Sequence, residues 1–442
     1  MHPAFPPPPG DPPPVPFREA VRTWGRVGVL GFGGPAGQIA VMHRILVDEK
    51  RWVDEPRFLH ALNFCMLLPG PEAQQLATYI GWVMHGVRGG LAAGLLFILP
   101  GWVILLVLSA LYAAFQGTTL VAALFFGLKP AIIAVVVEAL IRIGRRALVG
   151  RTAYAIAAAA FVAISFLAIP FPLVILAAGA AGWITGQRRG GADPPDRVPE
   201  RAEGHGWRTT ARVVAICLVL WWAPVALAAL VLGAGSVWVA EGLFFGHAAT
   251  VTFGGAYALL AYVAQQAVER YGWLAPGEML DGLGLAETTP GPLILVVQFV
   301  AFLGAYRDPG PLSPMAAGVL GAVITAWVTF APSFLFIFAG APYVERLRGH
   351  RGLAAALAGI TAAVVGVILN LAVWFALHVL FARVDEVETG PVHLLVPEWR
   401  TVDAASLLIA FGAAFAIFRL KWGMLTTLAA AAACGIAIRL FG

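Results

Sequence analysis

Charge is what this chain has least of. Of 442 residues, 12% are Asp, Glu, Lys or Arg and 60% are apolar, and the mean hydropathy is +0.83. Soluble domains run nearer a quarter charged and half apolar, so a water-soluble enzyme fold of this length would lack its polar surface. Cysteine is nearly missing as well. Cys65, Cys217 and Cys434 stand apart in apolar stretches without a CxxC pair, which excludes a disulfide framework and a thiolate metal site. The histidines are dispersed, with no HxxxH or HExxH pair, and no GxxxxGK[ST] or GxGxxG loop occurs. No metal, nucleotide or other cofactor is expected on that basis. Short strands alternating apolar and polar residues, the mark of a membrane barrel, are also missing.

What is present is a series of long apolar runs. A helical span needs about 20 such residues, and about thirteen windows qualify, with boundaries good to a few residues. They lie near 20–45, 58–86, 90–116, 119–142, 152–168, 171–186, 213–233, 237–267, 279–305, 314–339, 352–381, 403–418 and 424–441. The expected class is an all-α polytopic membrane protein of about 13 transmembrane helices. Met1 to Pro16 is proline-rich without a long apolar stretch, and reads as a disordered tail rather than a signal peptide.

The two halves share a pattern. Phe32-Gly33-Gly34, Trp52 and Pro69-Gly70-Pro71 recur as Phe253-Gly254-Gly255, Trp273 and Pro290-Gly291-Pro292, all at one shift of 221 residues. Ala40/Ala261, Val47/Val268, Leu59/Leu280 and Leu62/Leu283 fall in the same register. An internal duplication follows, a frequent build among transporters. The expected division is a tail (1–16), a first repeat (17–186), a basic cytoplasmic linker with a linking helix (187–236) and a second repeat (237–442). The basic stretches around Arg18 to Arg26, Arg142 to Arg151, 187–212, Arg346 to Arg351 and Arg419 with Lys421 all fall on the cytoplasmic side if each window crosses once. The net charge of +5 therefore reports topology rather than nucleic-acid binding. Counted so, the repeats are inverted and the N-terminus is cytoplasmic.

Glycine and proline mark where helices should break. Proline removes an amide donor and glycine tolerates the bend, while proline suits the first turn of a new helix. Pro35, Pro71 and Pro292 are read as starting second half-helices, whose first-turn amides carry partial positive charge and suit an oxyanion. Candidate binding groups are Gly33, Gly34, Gln38, Pro69, Gly70, Pro71, Gln74, Gly254, Gly255, Thr288, Thr289, Pro290, Gly291 and Pro292, with Asn63, Gln75, Thr78 and Gln298 as neutral donors nearby. Lys129, followed by Pro130, lies mid-window, where an ammonium costs about 3 kcal/mol unless it meets an anion, water or a carboxylate. Its partner is either an anionic substrate or an acid, Glu72 fitting better than Glu138. Arg26 and His247 occupy equivalent positions six residues before Phe-Gly-Gly, and Glu72 and Glu287 flank the Pro-Gly-Pro breaks. These four are candidates for gating or coupling. Gly86, Gly90 and Gly94 form a small-residue run suited to helix packing.

GFGGPAGQIAVMH (Gly31 to His43), LLPGPEAQQLATYIGW (Leu67 to Trp82), GLKPAIIAVV (Gly127 to Val136) and LAETTPGPLILVVQFVAF (Leu285 to Phe302) resemble the signatures of the chromate ion transporter family, in its long two-domain bacterial form. The resemblance implies a secondary transporter of opposed halves that exports chromate across the inner membrane and confers resistance. It also implies that Gly33, Gly34, Pro69 to Pro71, Lys129, Pro130 and Glu287 to Pro292 are the functional positions. The second copy reads FGGAY where FGGGY is expected, and His247 stands where a basic residue is usual. The expected partners are chromate, sulfate or a related oxyanion, and membrane lipid, with a second copy of the chain as the candidate protein partner and no nucleic acid. An intramembrane enzyme or sensor would need a catalytic cluster, which the sequence lacks.

Overall fold

The structure, a computed structural model, describes residues 15–66, 68–188, 207–251, 256–347, 351–390 and 392–441. The chain runs through α1 (Phe17–Leu30), α2 (Gly34–His43), α3 (Glu55–Cys65), α4 (Glu72–Phe115), α5 (Thr119–Ala147), α6 (Arg151–Ser165), α7 (Phe171–Arg188) and α8 (Trp207–Leu232). It continues through α9 (Val237–Val251), α10 (Ala256–Gln265), α11 (Pro276–Glu287), α12 (Val296–Arg307), α13 (Pro314–Leu347), α14 (Arg351–Leu380), α15 (Ala404–Phe418) and α16 (Met424–Phe441). Among the described residues, 6 helices are long and apolar enough to cross a membrane: α4, α5, α8, α13, α14 and α16.

The breaks fall where glycine and proline set them. Gly33 enters α2 at φ +84, Gly70 precedes α4 at φ +112 and Gly291 precedes α12 at φ +100, a region that costs any residue with a Cβ. Pro35 sits in the first turn of α2. Pro71 accepts the first backbone bond of α4 from Gln75, and Pro292 leads into the 3-10 turn Leu293–Leu295 ahead of α12. Phe253, Gly254 and Gly255 lie outside the described residues, between α9 and α10.

Elements recur in the same register as the sequence. α3 begins at Glu55 and α11 at Pro276; the π-helical turn Arg44–Glu49 after α2 returns as Gln266–Arg270 after α10. An irregular turn that recurs is harder to obtain by chance than a helix that recurs.

The residues form two compact units: Met1–Val107, Gly191–Ala256 and Thr289–His350 make one, and Leu108–Gly190, Tyr257–Thr288 and Arg351–Gly442 the other. Each draws on both halves of the sequence.

In the first unit, two of the expected crossings turn back. Lys50, just past the π-helical turn after α2, bonds Glu19 near the start of α1 at 2.7 Å, and Glu49 bonds Arg26 at 2.8 Å. Thirty-one residues of continuous helix would separate Glu19 from Lys50 by about 46 Å, so α2 must return along α1. These exposed pairs contribute little energy, but they fix the geometry. The next window does the same. His85 reaches the Val15 carbonyl at 2.7 Å and meets the Phe17 ring, so the segment beginning at Glu72 ends beside the start of α1. The expectation that every window crosses once therefore fails here. A broken helix supplies two arms of 10–15 residues, each about 15–22 Å long, which can dip and return but cannot each span about 30 Å.

α4 is itself a hairpin. His85 and Gly86 have non-helical backbone, and beyond them the chain doubles back: a Cβ on Gly81 would stand 2.5 Å from the Gly89 carbonyl and 2.6 Å from Ala93. Thr78 packs on Gly94 in the same register. Gly90 and Gly94 thus serve close packing, as their spacing suggested, whereas Gly86 meets no neighbour and at φ +62 makes the turn. The returning arm, 87–115, runs parallel to α1, with Gly28 against Leu96, and antiparallel to α13, with Gly90 beside Phe338 and Gly94 beside Phe334.

In the second unit α5 packs on α11, α14, α15 and α16, and α14 packs on α6 and α7. Small residues set the distances, as at Gly127 with Ala431 and Gly435, and Gly182 with Ala355 and Gly359. One departure from the all-α expectation lies here. Val384–Thr389 and Val392–Pro397 form an antiparallel hairpin between α14 and α15. It is anchored by the His393 amide on the Phe166 carbonyl at 2.9 Å. So short a pair of strands, the first carrying Asp385, Glu386, Glu388 and Thr389, looks like a loop from sequence.

Candidate functional site

Two of the breaks meet within the first unit. The Gly291 amide donates to the Gly31 carbonyl at 2.8 Å, and the buried Gln38 amide donates to the Gly291 carbonyl. Gly101, on the returning arm of α4, packs directly on the Pro290 carbonyl, where any side chain would collide with backbone. The third break lies at the same level. Carrying the pairing of Thr78 with Gly94 two turns along the hairpin sets Glu72 opposite Pro100, the neighbour of Gly101. Since Gly101 is the midpoint of residues 87–115, an arm of about 43 Å, the helix starts at Gly34, Glu72 and Leu293 gather near its centre.

The side chains here hold the breaks open. Gln75 donates to the Pro69 carbonyl at 2.6 Å, Gln298 to the Trp102 carbonyl at 3.0 Å, and Gln74 to the Thr78 hydroxyl at 3.4 Å. The side-chain oxygens of these three glutamines, and the Ser333 hydroxyl beside Gly70, are buried without a partner among the described residues. An amide oxygen repels an anion. The donors left here to receive one are the first-turn backbone amides, which lack intrahelical partners, and the second N–H of each glutamine. Of the candidate glutamine ligands, Gln38 staples a break through the Gly291 carbonyl, while Gln74 turns to Thr78 within its own helix; each keeps one spare N–H. Glu72 is half-buried in the first turn of α4, where the helix dipole favours its charge.

In the second unit Lys129 contacts Asp281 at 3.3 Å, with the lysine side chain 30% exposed and the aspartate 4%. Tyr112 donates to the same aspartate oxygen at 2.8 Å. Asp281, and neither Glu72 nor Glu138, is thus the acid that Lys129 meets. Glycine again allows it: Gly277 and Gly284 on α11 face Lys129 and Ile132 on α5. Asp281 and Tyr112 are the residues that sequence reasoning missed. The signal existed, since an acid inside the 279–305 window is as costly as a lysine in another.

Glu287 is buried and accepts from the Tyr257 hydroxyl in the same unit. The Thr288 hydroxyl bonds back to the carbonyls of Gly284 and Leu285 at 3.1 and 2.9 Å, which occupies its proton, and Thr289 is buried. Arg26 is half exposed in its bond to Glu49, and His247 is exposed on α9. At the polar end of α2, His43 lies between Glu55 and Asp48. Its hydrogen bond to Glu55 chiefly raises its pKa above the ordinary imidazole value. No group of three or more potential metal ligands occurs among the described residues.

The family model described as chromate transporter matches residues 18–183 and 240–436. A chromate transport protein of Pseudomonas aeruginosa is 35% identical over 367 residues, covering 81% of this chain and 80% of that protein. One from Cupriavidus metallidurans is 27% identical over 81% of this chain and 82% of its own length. A probable chromate transport protein of Synechococcus elongatus is 27% identical, with 81% and 84% covered. No solved structure matches.

Proposed function

That this chain belongs to the chromate transporter family is the premise from which we propose that it is a secondary transporter exporting chromate across the bacterial inner membrane, so conferring resistance. The observation that carries the reading is the Gly31–Gly291 junction beside Gly101. Broken backbone at bilayer depth is tolerated only where protein buries it or a polar cavity lines it, and paired helix starts offer amides to a tetrahedral dianion. Lys129, in the second unit, is retained by itself as a candidate anion contact, being a cation inside an apolar window. Moving two negative charges outward across 100 mV, negative inside, gains about 4.6 kcal/mol, so export can proceed without a nucleotide. Glu72, Glu287, Arg26 and His247 are retained as candidate gating or coupling groups.

The proposed topology has the N-terminus inside and the halves inverted. Antiparallel packing of residues 87–115 on α13, its counterpart in the second half, supports inversion. If all four broken windows dip and return, about nine crossings remain: residues 87–115, α5 to α8, and α13 to α16. Each basic stretch then still faces the cytoplasm, in keeping with the positive-inside rule. The β-hairpin falls outside.

The test is uptake of labelled chromate into everted membrane vesicles carrying the protein, with excess sulfate as competitor. Accumulation above empty vesicles that sulfate leaves intact is expected. Accumulation of sulfate in preference to chromate would reassign the cargo, and turnover of a substrate without vectorial movement would refute transport.

A further inference from the structure

Glu241, on α9, is a buried acid that the anion site does not use. It is 0% exposed, and neither carboxylate oxygen has a hydrogen-bond partner among the described residues. Its carboxylate rests on Gly321 of α13, where a Cβ would stand 2.8 Å from the Oε2 oxygen and 2.8 Å from the Ala301 carbonyl. The polar groups bearing on it are the Ala305 amide and the Asp308 carboxylate, at the end of α12. Arg307 closes the same helix. α13 carries no charged residue over 314–340. α8 meets α9 antiparallel, Val225 against Gly242 and Trp222 against Gly246, leaving its only charges, Arg208 and Arg212, about 20 Å away along that helix.

The scaffold does not require an acid here. At the repeat shift, Glu241 corresponds to Ala20 on α1, which is 2% exposed in its own copy. Alanine fills the equivalent position without the desolvation cost of several kcal/mol that an unpaired carboxylate carries. From Gly321 a ridge of residues at i, i+4 spacing leads along α13: Thr325, Thr329 and Ser333, each 0–1% exposed. Thr329 donates to the Thr325 carbonyl at 2.7 Å, while the hydroxyls of Thr325 and Ser333 have no partner among the described residues. Ser333 Oγ lies 3.3 Å from where a Cβ on Gly70 would be. The ridge therefore joins Glu241 to the Pro69–Pro71 break over about 18 Å.

We propose that Glu241 is a proton-binding site, and that α13 couples its loading to anion passage at the break. This rests on the transport reading above. In each cycle the carboxylate takes one proton from one side, forming the O–H bond of the acid, and releases it to the other as one anion moves the opposite way.

The experiment uses the purified full-length chain in proteoliposomes, with labelled chromate and an imposed gradient of one pH unit. For exchange of one proton per anion, that gradient should change the steady-state chromate ratio about tenfold. E241Q should lose the tenfold effect while retaining chromate-for-chromate exchange. E241D should keep it. In parallel, pH-difference infrared spectra of the protein without anion should contain a protonated-carboxyl band that E241Q removes and E241D shifts. A band unchanged in E241Q, or a pH effect surviving in E241Q, overturns the proposal. So does a sodium requirement that E241Q abolishes. If the wild type moves no chromate, the transport reading falls, while the infrared band still decides whether Glu241 is a proton site. Should E241Q fail to fold, loss of the band in E241A supports the proposal in its place, and loss of the pH effect in E241D overturns it.

Discussion

Removing the Lys129 ammonium alone should cost more than removing it together with the charge of its partner. Lys129→Met leaves Asp281, 3% exposed, holding a buried charge with only the Tyr112 hydroxyl to meet it. Breaking a fully buried pair this way costs about 3–5 kcal/mol. Because Lys129 is 30% exposed, part of that cost is screened, and about 1–3 kcal/mol is expected. Asp281→Asn leaves an ammonium that can reach water and should cost about 1 kcal/mol. The double variant keeps an acceptor for Tyr112 and has no stranded charge, so it should lie within about 1 kcal/mol of the wild type. Thermal unfolding in detergent of the four proteins gives the coupling energy, and vesicle uptake reports function. Stability should recover in the double variant while chromate transport stays lost, because the anion still lacks its cation. Full transport in the double variant would refute a substrate role for Lys129 and leave it as the structural partner of Asp281.

Other consequences are accessible to the same assays. Gly101→Ala sets a methyl against the Pro290 carbonyl and should destabilise by about 1–3 kcal/mol through overpacking, with transport lost even where the protein inserts. Normal transport by that variant would remove the junction from the site. In a background with Cys65, Cys217 and Cys434 replaced by serine, single cysteines at Glu19, Lys50 and Arg88 should all be labelled from one side of the membrane by an impermeant maleimide. Labelling of Lys50→Cys from the opposite side would contradict the dipping hairpin. His43, whose pKa is raised by Glu55, should stabilise the polar end of α2 below about pH 6.5, its unfolded value. That contribution should be lost as pH rises through the higher folded value. Melting of wild type against His43→Gln across this range should converge at high pH, and a constant difference would refute it.

Much of the fold is legible from residue types. Gly33, Gly70 and Gly291 stand at the breaks because glycine takes their positive φ without strain, and Pro71 because proline can open but not continue a helix. The 221-residue shift is visible in the letters and reappears in the helix starts. The crossing count was not legible. Twenty apolar residues look alike whether they span or dip, and the difference lies in the contact of Glu19 with Lys50 and of His85 with Val15, each between residues distant in sequence. The loop charges could not arbitrate, because turning back all four broken windows leaves every basic stretch on the same side as crossing with all four.

The site divides in the same way. Composition and spacing marked the helix starts as candidate anion sites and Lys129 as an expensive cation. Only the tertiary structure decided that Asp281, held by Tyr112, receives that cation, that Gln38 and Gln75 spend an amide N–H on carbonyls at the breaks, and that the carboxylate of Glu241 on Gly321 has no hydrogen-bond partner among the described residues. Pattern along a chain records what each residue costs to bury. Which neighbour offsets that cost depends on packing between helices that the pattern does not order.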